Sequence, residues 1–186
     1  MPNREETRNL ETIPVGPLGL IPLPSCAEIG DKINYYLVKW RKERENEHKN
    51  TLSFTGYQKD TFIMEHKLPR FGSGEGKGVI LESVRGDDLY LLVDVCNYSL
   101  TYTVAGHLNH MSPDDHFQDL KRIIAAVEGK AKRITVIMPF LYESRQHKRT
   151  ARESLDCAIA LQELINMGVD NIITFDAHDP RVQNAI

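Results

Sequence analysis

The C-terminal half of the chain alternates between helical and extended segments, and this order restricts the folds that it can adopt. Segment 112–115, with the sequence SPDD, is typical of a capped helix start, and the helix is predicted to end near Glu128. The apolar runs 133–139 and 171–176 predict buried strands, with a helix over 154–167 between them. Strands and helices that alternate in this way form parallel sheets. The sequence therefore predicts an α/β fold, in which an open, mainly parallel sheet has helices on both faces.

The N-terminal half predicts strands in a less regular order. A short strand is predicted over 19–24, and Ser25 and Glu28 have the spacing of a capping box for the helix that follows. That helix is predicted to place five apolar side chains on one face: Ile29, Ile33, Tyr36, Leu37 and Trp40. Three further strands are predicted, over 61–66, 79–83 and 89–95. Segment 96–111 is predicted to be an irregular loop.

The overall charge and the cysteine content exclude several classes of protein. The 186 residues have a net charge of −3, which argues against a nucleic-acid coat protein or a membrane-surface binder. Three widely spaced cysteines without a CxxC pair are typical of a reducing cytoplasm. No apolar run reaches the roughly 18 residues of a membrane span. We therefore expect a cytoplasmic α/β domain over 17–186, preceded by a flexible leader over 1–16.

A basic segment follows the predicted strand 133–139. It contains five basic residues: Arg145, His147, Lys148, Arg149 and Arg152. A helix N-terminus favours anions, so cations at this position repel the helix dipole unless an anion lies between them. Two interpretations remain open. The segment is either a phosphate site, in which Arg145 grips phosphate or stacks on a base, or a solvated loop that tolerates the repulsion.

A second candidate segment, DAHD over 176–179, follows the next predicted strand. Parallel strands joined by right-handed crossovers end at one edge of the sheet, where open α/β folds bind ligands, so both segments are expected to share that edge. A lone histidine such as His178 is more often an ordinary loop residue than a ligand. Asp176 and Asp179 beside it favour a hard cation, because Mg²⁺ sites combine one or two protein ligands with substrate phosphates.

The same segments, in this order, resemble a known family. Four stretches resemble the ribose-phosphate pyrophosphokinases, also called phosphoribosyl diphosphate synthetases: RFGSGEGKGVILES (70–83), ESVRGDDLYLL (82–92), SRQHKR (144–149) and GVDNIITFDAHDPRVQ (168–183). The resemblance spans most of residues 62–186. It implies the phosphoribosyltransferase-like N-terminal domain of a divergent member of that family.

For the nucleotide, the resemblance implies that ATP and Mg²⁺ bind at the predicted sheet edge. Arg145 and Gln146 match the Arg-Gln pair with which the family contacts ATP. His178 matches a histidine that touches the metal–ATP complex, and Asp176 matches the aspartate that precedes it. Asp179 is a supporting candidate.

Two further sites are implied by the resemblance. The family's F-DGE loop reaches the adenine bound by a neighbouring subunit, and four residues match it: Phe71, Ser73, Gly74 and Glu75. Arg152 and Gln183 match positions linked to the family's regulatory phosphate site. Because the adenine site is shared between subunits, a homo-oligomer is expected.

Several residues depart from the family pattern. Ser73 stands in place of the aspartate of F-DGE, His147 in place of the aspartate after Arg-Gln, and Asp179 in place of an alanine. The segment between Arg145 and Arg152 is one residue shorter than in the family, so roles for the residues between them are not transferred. These departures leave open an alternative, a non-catalytic regulatory homologue that binds nucleotide.

The resemblance also implies a reaction that requires a second domain. The family transfers the β,γ-diphosphoryl group of Mg-ATP to the C1 hydroxyl of ribose 5-phosphate, giving 5-phosphoribosyl 1-diphosphate and AMP. Its second domain holds the ribose-phosphate loop and the catalytic loop, and neither motif occurs in these 186 residues. We therefore expect the N-terminal domain of a longer protein, inactive by itself. An unrelated phosphate-binding α/β module is a third interpretation, favoured if residues 145 and 178 lie on opposite sides of the fold.

Overall fold

The computed structural model of the protein describes residues 14–46, 56–146, 151–179 and 181–182, which contain eight strands and three α-helices. The strands are β1 (Leu18–Pro22), β2 (His66–Lys67), β3 (Val79–Ile80), β4 (Asp88–Leu92), β5 (Thr101–Val104), β6 (His107–His110), β7 (Arg133–Ile137) and β8 (Asn171–Ile173). The helices are α1 (Ala27–Asn46), α2 (Pro113–Val127) and α3 (Asp156–Asn166). Of the predicted leader 1–16, residues 1–13 lie outside the described residues.

The central sheet is parallel and reverses its strand order once. Its strands lie in the order β1-β4-β7-β8, and all three pairings are parallel. On the far side of β1, the N–H of Leu20 donates to the Phe62 carbonyl and the Leu20 carbonyl accepts from the Met64 N–H, both at 2.8 Å. The chain therefore first runs outward from β1 to segment 62–64 and then returns to β4 on the other side of β1. This arrangement confirms the predicted open parallel sheet.

The two faces of the sheet are covered by different helices. Alternate residues of β4 point to opposite faces. Leu89 and Leu91 join the larger core, in which residues of α2 and α3 such as Ile123 and Leu161 are also buried. Leu92 joins a smaller cluster on the opposite face, against which Ile33 of α1 packs. The prediction of helices on both faces is confirmed, with two helices on one face and one on the other.

Helix α2 begins and ends as its sequence predicts. Ser112 is the N-cap, and its hydroxyl accepts from the Asp115 N–H while the Asp115 carboxylate accepts from the Ser112 N–H. Pro113 occupies the first turn, where its missing N–H is not needed. The helix ends at Val127, and its C-cap Glu128 adopts a left-handed conformation with φ 53°. Local capping chemistry therefore fixes both ends of this helix.

The capping box predicted for α1 is wrong. Ser25 lies in a 3₁₀ turn over Pro24–Cys26, ahead of the helix, and its side chain is buried. Its hydroxyl accepts a hydrogen bond from the N–H of Asp94, at 3.0 Å, instead of capping α1. The Asn97 side chain donates to the Ser25 carbonyl at 3.0 Å. Ser25 therefore joins the loops that follow β1 and β4.

The single apolar face predicted for α1 is also wrong. Ile33 and Leu37 pack against the smaller cluster, but Ile29, Tyr36 and Trp40 are each about half exposed. Gly30 lets the helix approach the sheet closely, because a Cβ at this position would clash with the ring of Pro22. None of the three described helices is long and apolar enough to cross a bilayer.

The irregular loop predicted over 96–111 contains a β-hairpin instead. Strands β5 and β6 pair antiparallel and are joined by a two-residue turn, in which Ala105 and Gly106 both have positive φ, at 48° and 84°. Such turns match the twist of paired strands.

Two other predicted strands are shorter than expected. The predicted strand 61–66 forms one isolated bridge to β1, at Ile63, and β2 begins only at His66. The predicted strand 79–83 is a strand only over β3, Val79–Ile80.

Arg70 and Asp119 attach the β2–β3 segment to α2. The Arg70 guanidinium donates to Asp119 at 3.0 Å and lies 4.7 Å from the Tyr102 ring centroid, so it also contacts the β5–β6 hairpin. Arg122 donates to the other carboxylate oxygen of Asp119 at 2.6 Å. The Asp119 side chain is only 6% exposed. One buried carboxylate therefore binds two guanidinium groups from two segments of the chain.

We expect Asp119→Ala to lower the free energy of unfolding by about 3 kcal/mol, because it removes the carboxylate that accepts from both Arg70 and Arg122 and leaves the nearly buried Arg70 with only the more distant Asp115. Denaturant unfolding followed by circular dichroism measures the change. Glu163→Ala is the matched control. Glu163 of α3 pairs with Lys121, which lies on α2 like Asp119, and because this ion pair is exposed its loss should cost at most about 1 kcal/mol. Equal costs for the two variants would contradict the role of Asp119.

The capping box of α2 predicts a pH dependence of stability. Burial alone would raise the pKa of Asp115, but hydrogen bonds from Ser112 and the nearby Arg70 lower it overall. The ionised Asp115 carboxylate therefore stabilises the folded protein fully above its unfolded pKa of about 3.9. This stabilisation is lost as the pH falls through the lower pKa of Asp115 in the folded protein. Asp115→Asn should cost about 1 kcal/mol at neutral pH and progressively less in acid. A cost that stays constant with pH would contradict this reading.

Candidate functional site

The loops after β7 and β8 meet at the carboxyl edge of the sheet. Phe140 and Asp176 form an isolated parallel bridge beyond the ends of the two strands. The Leu141 N–H donates to the Asp176 carbonyl, and the Asp176 N–H donates to the Pro139 carbonyl, both at 2.9 Å. The loop that leads to Arg145 and the DAHD segment therefore share one edge, as the order of the strands predicts.

The loop after β7 is held in a fixed shape before it reaches Arg145. The Tyr142 ring stacks on Phe117 with centroids 4.3 Å apart, and its hydroxyl donates to Asp114 of α2 at 2.8 Å. Burial, followed by this hydrogen bond, raises the pKa of the Tyr142 phenol. Glu143 then takes a left-handed conformation, with φ 56°, and the chain turns. Both side chains that follow the buried Ser144, Arg145 and Gln146, are exposed.

Charged groups from three loops act on the exposed Cys96, which follows β4. Burial and the carboxylate of Asp94 raise the pKa of the Cys96 thiol, Arg145 opposes that rise, and Asp176 adds to it. The Asp94 carboxylate accepts from the Cys96 N–H at 2.9 Å. Arg145 therefore lies within electrostatic range of the loops after β4 and β8. Among the described residues of these loops, the guanidinium of Arg145 and the carboxylates of Asp94 and Asp176 all act on Cys96.

His178 extends from a turn that Asp176 stabilises. The Asp176 carboxylate accepts from the His178 N–H at 3.0 Å, and His178 has φ 51°, in the left-handed region. The imidazole is exposed. Asp179 has a different role, because its carboxylate accepts from the N–H of Arg181 at 2.8 Å and from the Arg181 guanidinium at 2.9 Å. Asp179 therefore acts as a local cap for the backbone and side chain of Arg181.

The loop 71–75 is a tight, closed turn. The Phe71 N–H donates to the Glu75 carbonyl and the Gly74 N–H to the Phe71 carbonyl, both at 2.8 Å. Gly74 has φ 91°, a conformation that side chains disfavour. The Ser73 hydroxyl donates to the Glu75 carboxylate at 2.8 Å, and the Phe71 ring is 53% exposed. The loop packs on the β5–β6 turn, where the Ala105 N–H donates to the Gly72 carbonyl.

The two residues matched to a regulatory phosphate site are not both described. Arg152 is exposed and precedes α3. Gln183 lies outside the described residues, as do His147, Lys148 and Arg149 of the basic segment. The pairing of Arg152 with Gln183 therefore stays a prediction.

The sequence alone did not identify Asp94, Cys96 and Tyr142 as parts of this edge. The signal for Asp94 and Cys96 was present, because both follow an apolar run that ends at the same edge as the other parallel strands. Tyr142 offers no such signal, since its importance depends on stacking against a helix that lies earlier in the chain.

Comparisons with known proteins agree with this fold. A solved structure of phosphoribosylpyrophosphate synthetase from Mycobacterium smegmatis superposes on 91% of the chain with a TM-score of 0.65 and 23% identity, which establishes a common fold. The chain covers 45% of that structure.

Two curated relatives are similar in sequence. Ribose-phosphate pyrophosphokinase 1 of Schizosaccharomyces pombe is 36% identical over 118 residues, which are 62% of this chain and 25% of that protein. Ribose-phosphate pyrophosphokinase B of Dictyostelium discoideum is 29% identical over 118 residues, which are 62% of this chain and 32% of that protein. The chain thus matches about a third or less of the length of these relatives.

The family profile for the N-terminal domain of ribose phosphate pyrophosphokinase matches residues 20–168, about four fifths of the chain. The match includes all strands from β2 to β7, loop 71–75 and the basic segment. The chain belongs to the family of ribose phosphate pyrophosphokinase N-terminal domains.

Proposed function

We propose that the carboxyl edge of the sheet binds Mg-ATP for a ribose-phosphate pyrophosphokinase reaction. The observation that supports this proposal most strongly is the meeting of the β7 and β8 loops, which leaves Arg145 and Asp176 both within electrostatic range of Cys96. In the proposed reaction, the diphosphoryl group passes from ATP to the C1 hydroxyl of ribose 5-phosphate. Catalysis of such transfers depends mainly on positioning and on neutralising charge.

Arg145 and Gln146 are proposed to bind the nucleotide. Both side chains are exposed at the end of a loop whose backbone Tyr142 and Asp114 hold in place, so little ordering is needed when a ligand binds. A guanidinium can grip phosphate through two parallel hydrogen bonds or stack on a base, and a glutamine side chain offers both donors and an acceptor. An anion beside Arg145 would also balance its charge.

Mg²⁺ fits His178 and Asp176 only as a partial site. Among residues 14–46, 56–146, 151–179 and 181–182, no group of three or more His, Cys, Asp or Glu side chains could enclose a metal ion. Asp179 fits poorly, because Arg181 already occupies its carboxylate. Mg²⁺ commonly takes one or two protein ligands and completes its shell with water and phosphate oxygens. His178 and Asp176 would thus hold the ion that neutralises phosphate charge.

Loop 71–75 is proposed to contact the adenine of a neighbouring chain in a homo-oligomer. Its exposed Phe71 ring offers a stacking surface, and its closed hydrogen-bonded backbone keeps that ring in place. Ser73 is bonded to Glu75, so the pair offers a different set of donors and acceptors from the family's aspartate. This difference favours the second candidate, a regulatory homologue that binds nucleotide without catalysis.

Mg-ATP should bind the chain saturably in a calorimetric titration, and Arg145→Ala should weaken this binding at least about tenfold, because a charge-assisted hydrogen bond contributes roughly 1.5–3 kcal/mol. Arg85→Ala is the matched control, since Arg85 is an exposed arginine in the turn before β4, at the opposite edge of the sheet. Equal weakening by both variants would show that general charge, and not this site, attracts the nucleotide.

The chain alone should release no AMP from Mg-ATP and ribose 5-phosphate, because the ribose-phosphate loop and the catalytic loop belong to a second domain. Chromatographic measurement of AMP tests this expectation, with a two-domain relative as the positive control. Stoichiometric AMP release by the chain would contradict it. If a two-domain protein that includes this chain bound ATP yet released no AMP, the regulatory homologue would be preferred.

A further inference from the structure

Ser144 lies directly before the exposed Arg145, and its hydroxyl group is buried inside the loop. The residue is only 1% exposed. Among the buried side-chain nitrogen and oxygen atoms in the described part of the chain, its Oγ is the one without a hydrogen-bond partner. A serine hydroxyl in a turn usually bonds to a nearby backbone group. A buried hydroxyl that does not do so destabilises the fold, because it has given up its hydrogen bonds to water.

The residue before Ser144 has a disfavoured backbone conformation. Glu143 has φ 56°, in the left-handed region that glutamate seldom adopts. Ala105 and Glu128 also have positive φ, but they lie in a hairpin turn and at a helix C-cap, where this conformation is common. Glu143 lies in neither. Strained residues of this kind cluster at ligand sites, where the surrounding structure holds them in place.

Backbone hydrogen bonds on both sides of Glu143 maintain its conformation. The Ser144 N–H donates to the Leu141 carbonyl at 3.2 Å, and the Gln146 N–H donates to the Glu143 carbonyl at 2.9 Å. Tyr142 is held separately, because its hydroxyl donates to α2. A change at Glu143 would therefore turn residues 144–146 outward while the preceding part of the loop stays fixed.

We propose that Ser144 is a further phosphate-binding residue of the nucleotide site, which is buried in the free protein and turns outward when the nucleotide binds. In the bound protein, Glu143 leaves the left-handed region and the Ser144 hydroxyl donates to a phosphate oxygen beside Arg145. Hydroxyl, guanidinium and amide groups are common donors to phosphate. The new hydrogen bond gives the ligand its preference for the outward conformation, as any such shift requires. This inference rests on the proposed function, because it assigns a residue to the same site.

Ser144→Ala separates the stability of the protein from its affinity for the nucleotide. Because alanine removes the buried hydroxyl, the melting temperature of the free chain should rise by about 2–4 °C. The same variant should bind Mg-ATP about tenfold more weakly in a calorimetric titration, since a donor to phosphate is lost. A serine with a structural role alone would change the stability without changing the affinity.

Glu143→Gly is the second variant, because glycine adopts positive φ freely and therefore favours the buried position of Ser144. The change also removes a negative charge near the phosphate, which by itself would strengthen the binding of an anion. Weakening of Mg-ATP binding by about threefold or more therefore reports the backbone change. Ser83→Ala is the matched control, since Ser83 is exposed at the opposite edge of the sheet, and it should leave the affinity within about twofold.

The results for the wild-type chain and its variants distinguish this inference from the proposed function. If the wild-type chain binds Mg-ATP, unchanged affinity in either Ser144→Ala or Glu143→Gly would overturn the role of Ser144 and leave the nucleotide site standing. Weaker binding by Ser144→Ala without a higher melting temperature, or equal weakening by Ser83→Ala, would also overturn it. Absence of Mg-ATP binding by the wild-type chain would contradict the proposed function itself, and this assignment with it.

Discussion

The pairing of β4 between β1 and β7 is the constraint on which the rest of the structure depends. Its Leu89 and Leu91 are fully buried, and its backbone makes parallel ladders on both sides. Because segment 62–64 lies on the far side of β1, the strand order reverses between β1 and β4. Parallel pairing places the loops after all four strands at one edge, so the candidate site follows from the sheet itself.

Helix α2 holds two of the surrounding loops in place through its carboxylates. Its Asp119 binds Arg70 ahead of loop 71–75, and its Asp114 accepts from Tyr142 in the loop before Arg145. Both candidate nucleotide contacts are thereby attached to one rigid helix, whose N-terminus is fixed by the Ser112 cap. Preorganisation of this kind lowers the entropy that a ligand must remove on binding.

The sequence predicted those features that depend on neighbouring residues. The Ser112 cap and the strand–helix alternation were correct, because capping and periodicity are local. Ser25 was misassigned because its hydroxyl bonds to Asp94, 69 residues away, and no local pattern reveals that contact. The exposure of Trp40 was missed because it depends on how little of α1 the sheet covers. The sequence placed Arg145 and His178 at the sheet edge from their positions after strands, and their roles stay predictions, whereas the position of Tyr142 depends on tertiary packing.

The most direct measurement of the central claim is the amide NMR spectrum of the chain, recorded with and without Mg-ATP. Binding at the carboxyl edge predicts that the largest shift changes fall in the loops after β7 and β8, at Gln146 and His178 in particular, with smaller changes at Cys96. Amides at the opposite edge, such as Arg85, should not move. Changes confined to other parts of the fold, or none at saturating nucleotide, would contradict the assignment of the nucleotide site to these loops.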